Sequence, residues 1–265
     1  MNRWTDLLDR ISGKSHKEKF EIGLVLSGGA ARGFAHAGVL KALAERNMEP
    51  GIISGVSAGS IVGSFYCDGF APEEISEIFR KEKIFEFVKL KFRRHGLFSI
   101  EGLREVLKKN LRTKRLEDLR KPLVITATNI NRGVTVHFSE GNLADLVIAS
   151  SSLPVIFNPA PIDGHHCLDG GVTNNFPIEP LQDICKTLVG VHANPVGPYD
   201  PKKGLLHIAT NAFHLSIKSD IERKKGLLDH FIEPKKLMDF AYFDVRRGQE
   251  MFDIGYQEAV KVLDR

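Results

Sequence analysis

Two glycine-rich turns within residues 21–70 constrain this chain more than any other feature, because each stands between a strand-like and a helix-like run. The first, Gly28-Gly29-Ala30-Ala31-Arg32-Gly33, follows the continuous apolar run of residues 22–26. Such an unbroken run is what a parallel strand covered on both faces requires. Residues 33–46 then carry Phe34, Ala37, Gly38, Leu40, Ala42 and Leu43 on a helical stripe, which Pro50-Gly51 ends. The second turn, Gly55-Val56-Ser57-Ala58-Gly59, follows Ile52-Ile53-Ser54 and opens into a helix over 58–68. Strand, helix and strand in this order make a βαβ unit with a right-handed crossover. The expected fold is therefore α/β: three layers, α/β/α, around a mainly parallel central sheet.

The 265 residues suffice for one such domain with a helical extension. Residues 1–19 read as a lead-in, with Trp4, Leu7, Leu8 and Ile11 at helical spacing and a charged linker at 14–19. The main domain spans 20–200, and 201–265 is a mostly helical C-terminal part packed on it. Within the main domain, Pro72 starts a helix bearing Ile75, Ile78 and Phe79, and Leu103, Val106, Leu107 and Leu111 mark another. Strands at 123–128 and 134–138 flank a turn at Asn131-Arg132-Gly133, a hairpin signal. Asn142 caps a helix through Leu143, Leu146 and Val147. Pro154, Pro159 and Pro161 enforce a loop, Asp169-Gly170-Gly171 makes a tight turn, and 187–191 is a further strand.

A net charge of +4 permits attraction to an anionic surface without requiring it. The stretch 80–115 concentrates Lys and Arg, with Phe85, Phe87, Phe92 and Phe98 interleaved. It reads either as a solvated basic face or as a peripheral contact with anionic lipid; no nucleic-acid module surrounds it. Cys67, Cys167 and Cys185 are too widely spaced for a disulfide framework or a zinc site, which points to a reducing, cytoplasmic setting. The charged N-terminus has no signal-peptide core, and no window reaches 18 apolar residues. No cluster of metal ligands stands out, so neither metal nor cofactor is expected.

A G-x-S-x-G turn between strand and helix is the context of a nucleophile elbow, which makes Ser57 a candidate nucleophile. Gly55 and Gly59 supply the small neighbours that the doubled-back chain needs. A serine hydroxyl also needs a base, and the oxyanion it creates needs donors. Backbone N–H groups of Gly28, Gly29, Ala30, Arg32 and Gly33, at a helix N-terminus, form a turn suited to anions. A dinucleotide-binding turn is disfavoured, because Ala30 replaces the middle glycine and Ser54-Gly55 stands where an acid would end the second strand. Two bases remain open. The order Ser57, Asp169, His192 suits an α/β-hydrolase triad, although an elbow at residue 57 leaves few strands before it. Alternatively Asp169 contacts Ser57 directly, which needs burial to raise a carboxyl pKa of about 4. Asp169 as a plain turn residue is the bland alternative.

Taken together, SGGAARG at 27–33, GVSAG at 55–59 and DGG at 169–171 resemble the patatin-like phospholipases. His36-Ala37-Gly38-Val39-Leu40, Thr126-Ala127-Thr128, Ser152-Leu153-Pro154, Asn175 and Pro177 look similar too, so the resemblance covers roughly residues 20–195. It implies a Ser57–Asp169 dyad, an oxyanion hole of main-chain amides over 28–33, and Gly170 and Gly171 supporting the base loop. It further implies metal-free hydrolysis of phospholipid, lysophospholipid or neutral-lipid esters through an acyl-enzyme. Ala30, where the family often has glycine, keeps its N–H but has less freedom at positive φ. The rivals are a Ser–His–Asp esterase using His192, a non-catalytic or nucleotide-binding regulator, and transfer of the acyl group to an acceptor other than water.

Overall fold

The apolar run near the N-terminus becomes β1 (Phe20–Leu26), which lies between β2 (Ile52–Val56) and β9 (Cys185–Val191) and runs parallel to both. Alternation along a strand sends successive side chains to opposite faces. Leu24 and Leu26 accordingly enter the larger core, while Val25 enters a second cluster with Phe176, Leu181 and Ile221. The computed structural model describes residues 20–82, 84, 90–93, 96–98, 100–195, 208, 215 and 220–265. The lead-in expected over 1–19, and Phe85 and Phe87 of the basic stretch, lie outside the described residues.

The remaining strands are β3 (Leu90–Arg93), β4 (Gly96–Phe98), β5 (Leu123–Asn129), β6 (Val134–Phe138), β7 (Ala160–Ile162), β8 (His165–Asp169) and β10 (His230–Ile232). Among the described residues the main sheet has eight strands, in the order β10-β9-β1-β2-β5-β8-β7, with β6 also paired to β5. From β10 to β5 every pairing is parallel; β6, β7 and β8 add antiparallel pairings. The sheet is thus mixed rather than purely parallel. The helices are α1 (Phe34–Glu45), α2 (Ala58–Cys67), α3 (Pro72–Lys81), α4 (Glu101–Asn110), α5 (Leu143–Ser150) and α6 (Gly248–Leu263). Helix α6 packs along α1, and the larger core lies between such helices and one face of the sheet. The chain over 176–184 and a helical turn at 220–225 cover the other face.

The βαβ unit, the β5–β6 hairpin, the proline-led α3 and the Asn142 cap follow the sequence reading; Asn142 Oδ1 accepts the Asp145 N–H at 3.1 Å. The antiparallel β3–β4 pair within the basic stretch, the β7–β8 hairpin and β10 do not. Where three prolines suggested only a loop, β7 and β8 form a hairpin. Pro161 is tolerated because β7 ends the sheet, where a missing N–H need not break a ladder. The C-terminal part is helical as expected in α6, but it also lends β10 to the sheet beside β9. Three residues are too few to leave a periodic signal.

Candidate active site

Strand β2 ends at Val56 and α2 begins at Ala58, so Ser57 alone makes the turn between them, at φ 51° and ψ −121°. A non-glycine residue held there stores about 1–3 kcal/mol of strain. The crossing is tight. A Cβ added at Gly55 would lie 2.6 Å from the Gly59 carbonyl oxygen, and one at Gly59 only 2.3 Å from that of Leu26. Larger residues would drive α2 off the end of β1. The Ser57 N–H donates to Ser150 Oγ (2.9 Å), and that hydroxyl donates to the Thr126 carbonyl (2.7 Å). The elbow is thereby tied to α5 and β5, and its own amide is spent.

Beside it, the glycine turn winds into a short 3-10 helix (Ala30–Gly33) that runs on into α1. Gly28 abuts the serine: a Cβ there would lie 3.3 Å from Ser57 Cβ. The Ala31 N–H donates to the Tyr242 carbonyl (2.8 Å), and the Arg32 N–H to that of Gly29 (3.1 Å). Gly28, Gly29 and Ala30, in contrast, donate their amides to no group among the described residues. Ala30 adopts φ 48°, so the residue that departs from glycine does take up the left-handed region. The Arg32 side chain turns away from the serine. It bonds Asn194 Oδ1 (2.7 Å) and the Phe240 carbonyl (2.9 Å), with its guanidinium 4.3 Å from the centre of the Tyr242 ring. It bolts the turn to the C-terminal part of the chain. Gly33 closes the 3-10 turn.

Asp169 ends β8 and is 1% exposed. Its N–H donates to the Ser152 carbonyl (2.9 Å), and its own carbonyl accepts Thr128 Oγ1 (3.0 Å). Carboxyl Oδ1 accepts the Gly171 N–H (2.8 Å), the first turn of the 3-10 segment Gly170–Val172. Burial raises the Asp169 pKa from 3.8 to about 6, opposed by the Ser57 hydroxyl and the Gly171 N–H. The serine hydroxyl is thus in reach of the carboxylate, although Oδ2 completes no hydrogen bond of full geometry. Such pairs commonly align only when substrate binds.

The structure brings Asp169, not His192, to the Ser57 hydroxyl. His192 follows β9, its Nδ1 lies 2.9 Å from Glu233 Oε1, and its ring packs against those of Phe176 and Phe231, which also touch each other. Another histidine supports the glycine turn from behind. His36 Nε2 donates to the Ser27 carbonyl (2.9 Å), and burial lowers its pKa to about 4, so the ring stays neutral.

A cleft opens at Ser57, walled by Ala30, Ile61, Leu103, Leu153, Phe157 and Phe243. Among the described residues the lining is apolar and carries no charge, which fits a hydrocarbon chain and not a nucleotide. Two contributors, Ser150 and Phe243, were invisible in the sequence. Ser150 sits in a run of three serines that nothing distinguishes, and Phe243 reaches the cavity only because the C-terminal part folds back. Asn175 is 3% exposed beside Gly28, and its Nδ2 is buried without a partner.

The sequence model of the family "Patatin-like phospholipase" matches residues 24–181. An uncharacterized NTE family protein of Mycobacterium tuberculosis is 26% identical over 216 residues, which is 78% of this chain and 60% of that protein. The human patatin-like phospholipase domain-containing protein 6 is 26% identical over 280 residues, 89% of this chain but 20% of that protein. This chain therefore spans less than two thirds of either relative. Among solved structures, VipD from Legionella pneumophila superposes with a TM-score of 0.55 at 16% identity, over 96% of this chain and 71% of VipD. That likeness is one of fold.

Proposed function

We infer that this chain, which belongs to the patatin-like phospholipase family, hydrolyses fatty-acyl esters of phospholipids or lysophospholipids through an acyl-enzyme on Ser57. One observation carries the reading: a serine hydroxyl on a strained elbow meets a fully buried carboxylate at the mouth of an apolar cavity. Asp169 takes the Ser57 proton as Oγ attacks the ester carbonyl. The unengaged amides of Gly28, Gly29 and Ala30 receive the oxyanion, in the role of preorganised donors. Arg32 and Gly33 hold that turn in shape rather than donate. The proton on Asp169 passes to the departing alcohol, the lysolipid or its glycerol. Water, deprotonated by the same carboxylate, then frees the fatty acid and regenerates the serine. A pKa near 6 suits both halves of this cycle, since the group is ionised at neutral pH yet basic enough to accept a proton.

The placement of His192 against Glu233 favours the dyad over a Ser–His–Asp triad. The apolar cavity disfavours a nucleotide-binding regulator. Fatty-acid release from mixed phospholipids, read by mass spectrometry, tests the reading. Ser57→Ala and Asp169→Ala should lose release by about a thousandfold or more, whereas His192→Gln should keep it within a few-fold. A large loss in His192→Gln with Asp169→Ala still active would restore the triad. Among the described residues no helix is long and apolar enough to cross a membrane. Contact through the basic stretch predicts liposome sedimentation that rises with anionic lipid and falls with salt.

A further inference from the structure

Lys224 lies in the helical turn at 220–225 and is 3% exposed, an expensive place for an ammonium unless acceptors surround it. Four oxygens do. Nζ lies 2.8 Å from Asn174 Oδ1, 3.0 Å from the Phe176 carbonyl, 2.8 Å from Glu179 Oε1 and 2.8 Å from Asp220 Oδ2. Burial alone would raise both carboxyls, and the hydrogen bonds they receive, led by Lys224, hold them below the ordinary range instead. Both acids are partly exposed, so the costly member of the cluster is the lysine itself.

The acceptors from 174 and 176 belong to the segment that leaves Asp169. The Asn174 N–H donates to the Gly170 carbonyl (2.8 Å), Asn174 Oδ1 also accepts the Phe176 N–H (3.2 Å), and Asn174 Nδ2 donates to Glu179 Oε2 (2.9 Å). Asn175, between them, presses its Oδ1 to 2.5 Å from where a Cβ of Gly28 would stand. One short segment therefore connects the Gly171 N–H that holds Asp169 Oδ1 to the turn bearing the free amides. Lys224 is its anchor from the C-terminal part of the chain.

We propose that Lys224 is a positioning residue for the Ser57–Asp169 pair, its ammonium locking the 170–176 segment so that base, nucleophile and amide turn keep their spacing. The inference rests on the reading of Ser57 as nucleophile. Without the lock, Asn174 and Phe176 lose their shared donor and the segment relaxes at both ends, although the elbow itself keeps its own ties through Ser150. Misplacement of reacting groups by about 1 Å costs about a hundredfold in rate.

Labelling with a fluorophosphonate separates this role from simple support of the fold. The Ser57 oxygen displaces fluoride at phosphorus and loses its proton to the base, so the labelling rate per reactive site reports activation, while the final stoichiometry reports the folded fraction. Labelled wild type and unlabelled Ser57→Ala establish the nucleophile; a wild type that takes no label sinks that reading and this inference with it. Lys224→Met strands two carboxylates, so it is paired with Lys224→Met/Glu179→Gln/Asp220→Asn, which removes them. Asn174→Ala cuts the same tether from the other end. The expected result is a rate constant about tenfold or more below wild type in the triple variant and in Asn174→Ala, whatever stoichiometry each reaches. Rate constants equal to wild type, with any loss confined to stoichiometry, would make Lys224 a purely structural residue and overturn the proposal.

Discussion

Replacing Asp169 by asparagine should abolish activity and at the same time stabilise the fold above pH 6. The carboxyl titrates at about 6 in the folded chain and at 3.8 as an unburied group. At 1.36 kcal/mol per pH unit, that interval amounts to about 3 kcal/mol lost from stability once the group is ionised in both states. The sign follows from proton counting. Between pH 3.8 and about 6 the folded state holds the proton more tightly than the unfolded state, so stability falls as pH rises through this window and then levels off. Asparagine does not titrate and keeps an oxygen for the Gly171 N–H. Its new N–H₂ replaces Oδ2, which completes no hydrogen bond of its own. An unmatched buried donor there would subtract about 1–3 kcal/mol unless it reaches Ser57 Oγ. Urea denaturation of both proteins from about pH 4 to about pH 8 measures the difference, in which all other titrating groups cancel. The variant should match or trail wild type near pH 4 and gain about 3 kcal/mol relative to it by about pH 7. A stability difference that does not change with pH would refute the argument that burial sets this carboxyl.

The same pKa predicts that kcat/KM falls tenfold per unit below pH 6 or thereabouts, as a single-proton limb in a pH–rate profile; a limb near 4 would mean an exposed base. Ser57→Gly removes the hydroxyl but also the strain of φ 51° and ψ −121°, so the inactive variant should melt higher, by about 1 kcal/mol of stability after the entropy of the added glycine. Val155 is 74% exposed at φ 69°, a conformation that a β-branched side chain resists. Val155→Asn should gain about 1 kcal/mol in thermal denaturation, with esterase activity unchanged.

Much of the site was legible because close approach leaves marks in composition. Gly55 and Gly59 appear in the sequence since backbone must touch backbone at the elbow, and 2.6 Å and 2.3 Å to carbonyl oxygens is the physical content of those two letters. The glycine turn was readable for a similar reason, but which amides stay free was not. Arg32 looked like one more donor, and its amide and side chain both turned out to be engaged, with Gly29 and with the chain at 194 and 240. Strands β10 and β7 escaped because three-residue strands carry no period, and Pro161 signals a loop unless the edge position is known.

By itself the sequence determined the βαβ frame, the elbow serine and the turn beside it, since local sterics and periodicity act over a few residues and are written in order along the chain. Only the tertiary structure decided which acid is buried beside Ser57, which amides of the glycine turn have no partner among the described residues, and how Tyr242 and Phe243 return from the far end to that turn and to the cleft. These depend on burial and on contacts between distant segments. Desolvation, which turns an ordinary aspartate into one that titrates near 6, exists only once the chain has closed around it.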